Sequence, residues 1–331
     1  MAPVLAAALL VVVGSAAMQL LGALPVAAAA ESVPDDNPRV ASRFWLAACL
    51  LPSIMGVLLA AGALLAPSVA TITPHLERTR PHLCWRNLMQ APDAVWHFRL
   101  AGTAALGIIL FAVGRFIWRW TSSRRVERLA QATDGRGGNA RMLTARSDDM
   151  FSFTVGLRQG LVVLSQGLKD TLTDEQLQAL VAHEQAHIDR KDNMWHLLIE
   201  LAATLALPMP VGFLYAYWWR ASAEADCDCR AAETTTSATV SQLLVTLQEH
   251  VAHTKPALPA GLTPVYYGSI SPIHRARRLT AAPHPLVAPP LGFVLVGELL
   301  VLLTAAFIAR RWLWDSLYCA GESVLRVMGG G

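Results

Sequence analysis

Residues Pro3–Ala30 form an apolar run without a charge, and two more runs follow at Phe44–Ala70 and Leu100–Trp118. Each is long enough to cross the roughly 30 Å hydrocarbon core of a bilayer as a helix. The first run also has features of a cleavable leader, because Ala27–Ala30 offers a small-residue site. It lacks a basic n-region and exceeds the usual apolar length, so a retained helix is the expectation. Thr71–Arg99 reads as a polar loop between the second and third runs. A further run, Leu286–Ala309, predicts a last span followed by a short tail.

Between Trp118 and Leu286 the pattern changes. Leu161-Val162-Val163-Leu164, set between Gly160 and Gly167, reads as a short strand, and Phe151–Thr154 alternates weakly. Thr173, with Gln176 three residues on, is a capping-box pattern. Leu177, Leu180, Val181 and Ile188 then give a helix with one apolar stripe. By length, His196–Trp219 is a span, but Pro208-Met209-Pro210 breaks it at its midpoint. Each arm has about eleven or twelve residues, or roughly 16–18 Å, too short to cross alone. A helical hairpin that dips into the membrane, or packs under it, and returns is predicted. Trp195, Tyr215, Tyr217, Trp218 and Trp219 suit an interfacial position, and equally suit a packed core.

This patterning divides the chain into a membrane region 1–118 with three transmembrane helices, a polar domain 119–285 that includes the hairpin 196–219, and a final helix with its tail over 286–331. Composition agrees: 54% of residues are hydrophobic and only 15% charged, against roughly 25% charged for an ordinary soluble domain. The densest positive block, Arg119, Arg124, Arg125 and Arg128, directly follows the third run, and the positive-inside rule places it in the cytoplasm. Arg78, Arg80, Arg86 and the pair Arg310-Arg311 then fall on the disfavoured side. A net charge of +3, with a basic block that directly abuts an apolar run, gives no basis for direct nucleic-acid binding. Cys49, Cys84, Cys227, Cys229 and Cys319 form no disulfide framework.

The candidate chemistry lies on the capped helix. His183-Glu184-Gln185-Ala186-His187 is an H-E-x-x-H motif. At that spacing both imidazoles project from one helix face and reach one zinc ion, and Glu184 serves as general base toward a water. The motif is short enough to arise by chance, so a third ligand is required to support it. Glu224-Ala225-Asp226-Cys227-Asp228 is the nearest downstream acidic cluster. Glu224 and Asp228 are four apart and share a helix face, which suits a metal ligand and a carboxylate partner for a ligand imidazole, or else a solvated acidic face. Cys227 and Cys229 are metal thiolates by spacing, or small packing residues. A stabiliser for the transition-state oxyanion is also needed, and Tyr266, Tyr267, His250, His253 and Arg275 are candidates. Asp192 is expected to cap or pair near the end of the zinc helix. The strand just upstream, Leu161–Leu164, is either an edge that would hold an extended peptide near the metal or an ordinary sheet strand.

Gly167, Leu168, Glu175, Leu177, Leu180-Val181-Ala182-His183-Glu184, His187-Ile188, Arg190 and Asp192 together resemble the BlaR/MecR family of membrane metallopeptidases, and more distantly the HtpX and CAAX prenyl protease group. The likeness covers about Phe151–Leu279 and is specific from Gly167 to Asp228. It implies a gluzincin-type site in which Glu224 is the third zinc ligand, Asp228 its companion and Cys227 a packing residue. The family form Glu-x-Ala-Cys-Asp has Ala where this chain has Asp226. The fold expected is therefore an α-helical membrane protein with an inserted α+β gluzincin-like zinc metallopeptidase domain. The resemblance further implies cleavage of a protein or peptide substrate, typically a cytoplasmic BlaI/MecI-like repressor in signal transduction. No penicillin-binding sensor domain is expected from this sequence. The alternatives are an HtpX-like quality-control protease and a non-catalytic zinc-containing membrane transducer.

Overall fold

A computed structural model describes residues 2–30, 37–65, 92–133, 142–157, 160–207, 209, 211–251 and 271–280. Among the described residues the fold is mostly helical with one small mixed sheet. Three long helices come first: α1 (Ala2–Ala30), α2 (Pro38–Leu65) and α3 (Pro92–Thr133). Among the described residues, Pro38–Leu58 and Arg99–Arg128 are long and apolar enough to cross a membrane, and Ala8–Ala23 is a shorter apolar stretch. Leu100, Leu110, Phe111, Ile117 and Trp118 on α3, and Leu51, Ile54 and Leu58 on α2, are exposed. Exposed apolar faces of this extent suit lipid contact and are unfavourable in water. Helices α1 and α2 approach closely through small residues: a Cβ added at Gly56 would lie 2.4 Å from the backbone nitrogen of Ser15.

Two boundaries differ from expectation. The stretch 92–99, expected as loop, is already helical, and α3 continues unbroken past 118 to Thr133. The arginines of the basic block do not interrupt the helix, because Arg is a good helix former. The apolar run thus ends at Trp118 but the helix does not, and α3 continues across the boundary expected at 118. The predicted final span, Leu286–Ala309, lies outside the described residues.

The sheet follows α3. Strands β1 (Met142–Ala145), β2 (Ser152–Val155) and β3 (Leu161–Ser165) lie in the order β1-β3-β2. β1 runs parallel to β3, pairing Met142 with Val162, and β2 runs antiparallel, pairing Phe153 with Val163. The strand expected at Leu161–Leu164 exists, but it is central and not an edge. Its five residues are all buried, as a strand covered on both faces must be. The strand edge nearest the motif helix is β2.

After β3 come α4 (Gln166–Thr171), α5 (Asp174–Arg190), α6 (Asp192–Leu205), α7 (Val211–Thr234), α8 (Ser237–Val251) and α9 (Pro272–Thr280). Gly167 follows from a close approach: its N–H donates to the Ser147 carbonyl at 2.9 Å, and a Cβ there would lie 2.2 Å from the Asp148 carbonyl oxygen. Leu164, Leu168, Leu180, Val240 and Leu244 form the core that seats α5 between the sheet and α8. The hairpin is present as α6 and α7, with the chain turning between Leu205 and Val211. Pro208 and Pro210 themselves lie outside the described residues. Tyr215, Trp218 and Trp219 are buried against Trp45 and Cys49 of α2, with the Trp45 and Trp218 rings 4.4 Å apart. Of the two roles open to these aromatics, packing is the one observed.

Candidate metal centre

The motif helix α5 begins as its sequence dictates. Thr173 Oγ1 accepts from the Gln176 N–H at 3.2 Å, and Gln176 Oε1 accepts from the Thr173 N–H at 3.1 Å. Both bonds satisfy donors that the first helical turn leaves without partners. Ala179 and Leu180 are buried in the core, which fixes the rotation of the helix. The next face inward carries His183, Glu184 and His187, which are 2%, 1% and 6% exposed. These values exclude a surface helix that merely happens to carry two histidines.

The end of α5 matters as much as its start. Lys191 sits in the left-handed region at φ 58°, and its N–H caps the carbonyls of His187 and Ile188. This turn stops α5 after Arg190 and starts α6 at once with Asp192. Asp192 Oδ2 thereby returns to within 2.8 Å of His187 Nδ1. On the other side, α7 brings Asp228 Oδ1 to 3.1 Å from His183 Nδ1. Each carboxylate accepts from Nδ1–H of its imidazole, which makes Nε2 the nitrogen that can offer a lone pair to a metal.

Those two Nε2 atoms face each other at 3.2 Å. Glu224 completes the set, with Oε2 3.6 Å from His183 Nε2 and Oε1 3.7 Å from His187 Nε2. One ligand atom from each of the three lies within 4.8 Å of the others, and all three residues are buried. Two nitrogens on one tetrahedral zinc, at roughly 2.0–2.1 Å each, stand about 3.3 Å apart. The donor set of two imidazoles and a carboxylate therefore fits zinc in chemistry and spacing. A second grouping, His187, Asp192 and Cys227, is also close. Its imidazole nitrogen is already bonded to Asp192, and burial pushes the Cys227 thiol well above its ordinary range, so Cys227 is a neutral packing residue 3.4 Å from His187 Nδ1.

The electrostatics without metal fit a cation site. Burial opposes a charge on His183, but hydrogen bonds to Asp228 and Glu224 outweigh it and raise its pKa to about 9. Burial also works against charge on Glu224, yet the Arg275 guanidinium and the His183 contact hold its carboxyl down at about 2. Asp228 is likewise held well below the usual carboxylate range by Arg275, against burial. Arg275 comes from α9: Nε and Nη2 donate to the two Asp228 oxygens at 2.8 and 2.6 Å, and Nη1 lies 2.8 Å from Glu224 Oε2. Of the candidates for the oxyanion role, Arg275 is therefore at the site. Tyr266, Tyr267 and His253 lie outside the described residues, as does the side chain of His250.

Glu184 accepts a hydrogen bond from Ser152 Oγ at 2.5 Å. Ser152 opens β2, so the motif glutamate lies beside a strand edge. Sequence reasoning missed this pair: Ser152-Phe153 resembles the BlaR/MecR family's segment ahead of the motif helix, but nothing in a weakly alternating strand says which helix residue its serine meets. It also left the partner of Asp192 unspecified. The signal there is the αL turn at Lys191, which is not legible without coordinates because lysine is an uncommon residue for it.

Residues 121–254 match the family model described as Peptidase family M48. No curated protein and no solved structure matches the chain. The matched segment contains α5 and α7 with all three donors, so the family assignment and the donor geometry bear on the same residues. Residues 121–254 are thus similar to Peptidase family M48, and within them His183, His187 and Glu224 form the donor set of a zinc metallopeptidase.

Proposed function

We propose that the protein is an integral membrane zinc endopeptidase whose site lies against the cytoplasmic face of the bilayer. In this reading His183, His187 and Glu224 hold the metal, Asp192 and Asp228 fix the two imidazoles, and Glu184 is the catalytic base. Bound zinc supplies Lewis acidity toward a scissile carbonyl and a water molecule. Glu184 takes a proton from the attacking water on its carboxylate and delivers it to the leaving amine. Ser152, which bonds Glu184 Oε1, holds that carboxylate in place. An extended substrate segment pairs with the outer edge of β2, which sets a peptide beside Glu184. Arg275 is the cation nearest the three donors and stabilises negative charge there.

The observation that carries this reading is the convergence of two carboxylate-held Nε2 atoms and Glu224 beside a buried glutamate. Substrate choice rests on the resemblance of Gly167–Asp192 and Glu224–Asp228 to BlaR/MecR peptidases. We take the substrate to be a cytoplasmic regulator of the BlaI/MecI repressor type. The test pairs purified wild type and Glu184→Gln with such a repressor and with casein. Cleavage of the repressor alone, abolished in the variant, is expected. Casein cleavage with an intact repressor would favour the quality-control alternative, and full activity in Glu184→Gln would contradict the mechanism.

A further inference from the structure

Asp226 is buried on α7, between the metal-site residues Glu224 and Asp228 in sequence but not in space. Two positions along a helix is about 200° of rotation, so its carboxylate faces away from the three donors. There it meets three guanidinium groups: Arg190 Nη1 in a close ion pair with Oδ2, Arg39 Nε at 3.4 Å from Oδ1, and Arg230 Nη2 at 3.4 Å from Oδ2. Arg190 also donates from Nε to both oxygens of Asp192 at 3.1 Å, and from Nη1 to Ser42 Oγ at 3.3 Å. Asp192 in turn holds His187 Nδ1. A continuous polar path therefore runs from Arg39 and Ser42, in the first turns of α2, through Asp226, Arg190 and Asp192 to His187.

From this we infer that Asp226 is a positioning residue for the metal centre, acting on His187 through Arg190 and Asp192 and tying that centre to α2. The inference rests on His187 being a metal ligand. Asp192 serves two partners, an imidazole and a guanidinium. With Asp226 present, the Arg190 charge is shared between two carboxylates. Without it, Arg190 leans on Asp192 alone and draws that carboxylate away from His187 Nδ1, which lowers the basicity of Nε2 and frees the ring to turn. A shift of the α2 start relative to α7 has the same effect through Arg39 and Ser42. This gives the membrane helix a physical means of changing metal affinity with no contact to the metal.

The test uses the full chain in detergent, stripped of metal, with zinc affinity measured by chelator competition and the cobalt-loaded form by its visible absorption spectrum. Asp226→Asn is expected to weaken zinc binding about 10-fold, the low end for a residue behind a ligand, and to change the cobalt spectrum. Asp226→Glu, which keeps the charge, is expected to recover most of that loss. A lowered Tm for Asp226→Asn with unchanged affinity and spectrum would overturn the proposal, because a purely structural role moves stability alone. Should the Asn variant not fold, the half-exposed Arg39 carries the test: Arg39→Ala weakens zinc binding in the same direction, and unchanged affinity there overturns the link to α2. His187→Ala separates the two levels. If it binds zinc as wild type does, the metal-site reading itself fails; if it loses zinc while Asp226→Asn and Arg39→Ala do not, only the relay fails.

Discussion

Two clusters of ionisable side chains share the helices α6 and α7, one buried and the other partly exposed. One is the metal centre. The other joins Glu200 and His196 of α6 to Arg115 and Arg119 of α3 and Arg220 of α7. Both contain histidine, carboxylate and arginine, yet they differ in what their imidazoles have left to offer. His196 Nε2 lies 3.1 Å from Glu200 Oε1, and its Nδ1 accepts from Arg220 Nε at 3.3 Å. Both ring nitrogens are used, and both Glu200 oxygens face cations, Arg119 on one and Arg115 on the other. At the metal centre each imidazole gives its Nδ1 to a carboxylate, and the two Nε2 atoms face each other at 3.2 Å. The inventory of residues is similar, and the orientation of the rings decides which cluster can bind a metal. The Glu200 cluster closes on itself and fastens the hairpin to α3.

This contrast can be broken first at Glu184, the base of the proposed mechanism. Glu184→Gln is expected to lower kcat/KM for peptide hydrolysis by roughly 10²–10⁴-fold, the usual contribution of a positioned base, with zinc content unchanged. Loss of zinc in that variant would show that Glu184 shapes the site and does not merely act beside it.

The next contrast is in stability. Glu200→Ala takes this carboxylate away from the partly buried Arg119, so unfolding stability is expected to drop on the order of 1–3 kcal/mol while zinc is retained. A thermal melt paired with a metal assay reads both quantities. Zinc loss in Glu200→Ala would mean the two clusters are not separate.

The metal centre is also expected to respond to pH through His183. Its folded pKa of about 9 lies above the ordinary 6.5. The proton on His183 therefore stabilises the metal-free fold fully below about pH 6.5, and that contribution disappears as pH rises through about 9. Zinc must displace the same proton, so its affinity should change in the opposite sense, rising about 10-fold per pH unit between these limits. Competition titrations across neutral pH check this, and a flat profile would remove the proton from His183.

The smallest effect is expected at Lys191. Its left-handed conformation costs a lysine about 1 kcal/mol, and Lys191→Gly removes that strain while adding flexibility to the unfolded chain. A change in stability within about 1 kcal/mol, with the Asp192 contact and zinc binding preserved, is the predicted outcome.

Much of the site was legible in the sequence because its signals are local. The capping box at Thr173 and Gln176, the i, i+4 spacing of His183 with His187, and that of Glu224 with Asp228 each lie within one or two turns of helix. The proline pair in the apolar stretch led to the expectation of a hairpin, since Glu224 could not otherwise meet His183, and α6 ends at Leu205 while α7 begins at Val211. What escaped depends on contacts between elements. Ser152 reaches Glu184 only after β2 pairs with β3, and β3 is central only because β1, a four-residue strand with no clear alternation, pairs on its other side. The path through Asp226 and Arg190 is complete only when α2, α5, α6 and α7 are all in place.

The most direct test of the central claim is the zinc content of the purified protein, wild type against Glu224→Ala. One zinc per chain in the wild type, and little or none in the variant, is the predicted result. An undiminished zinc content in Glu224→Ala would contradict the assignment of Glu224 and with it the fit of the three donors to one metal.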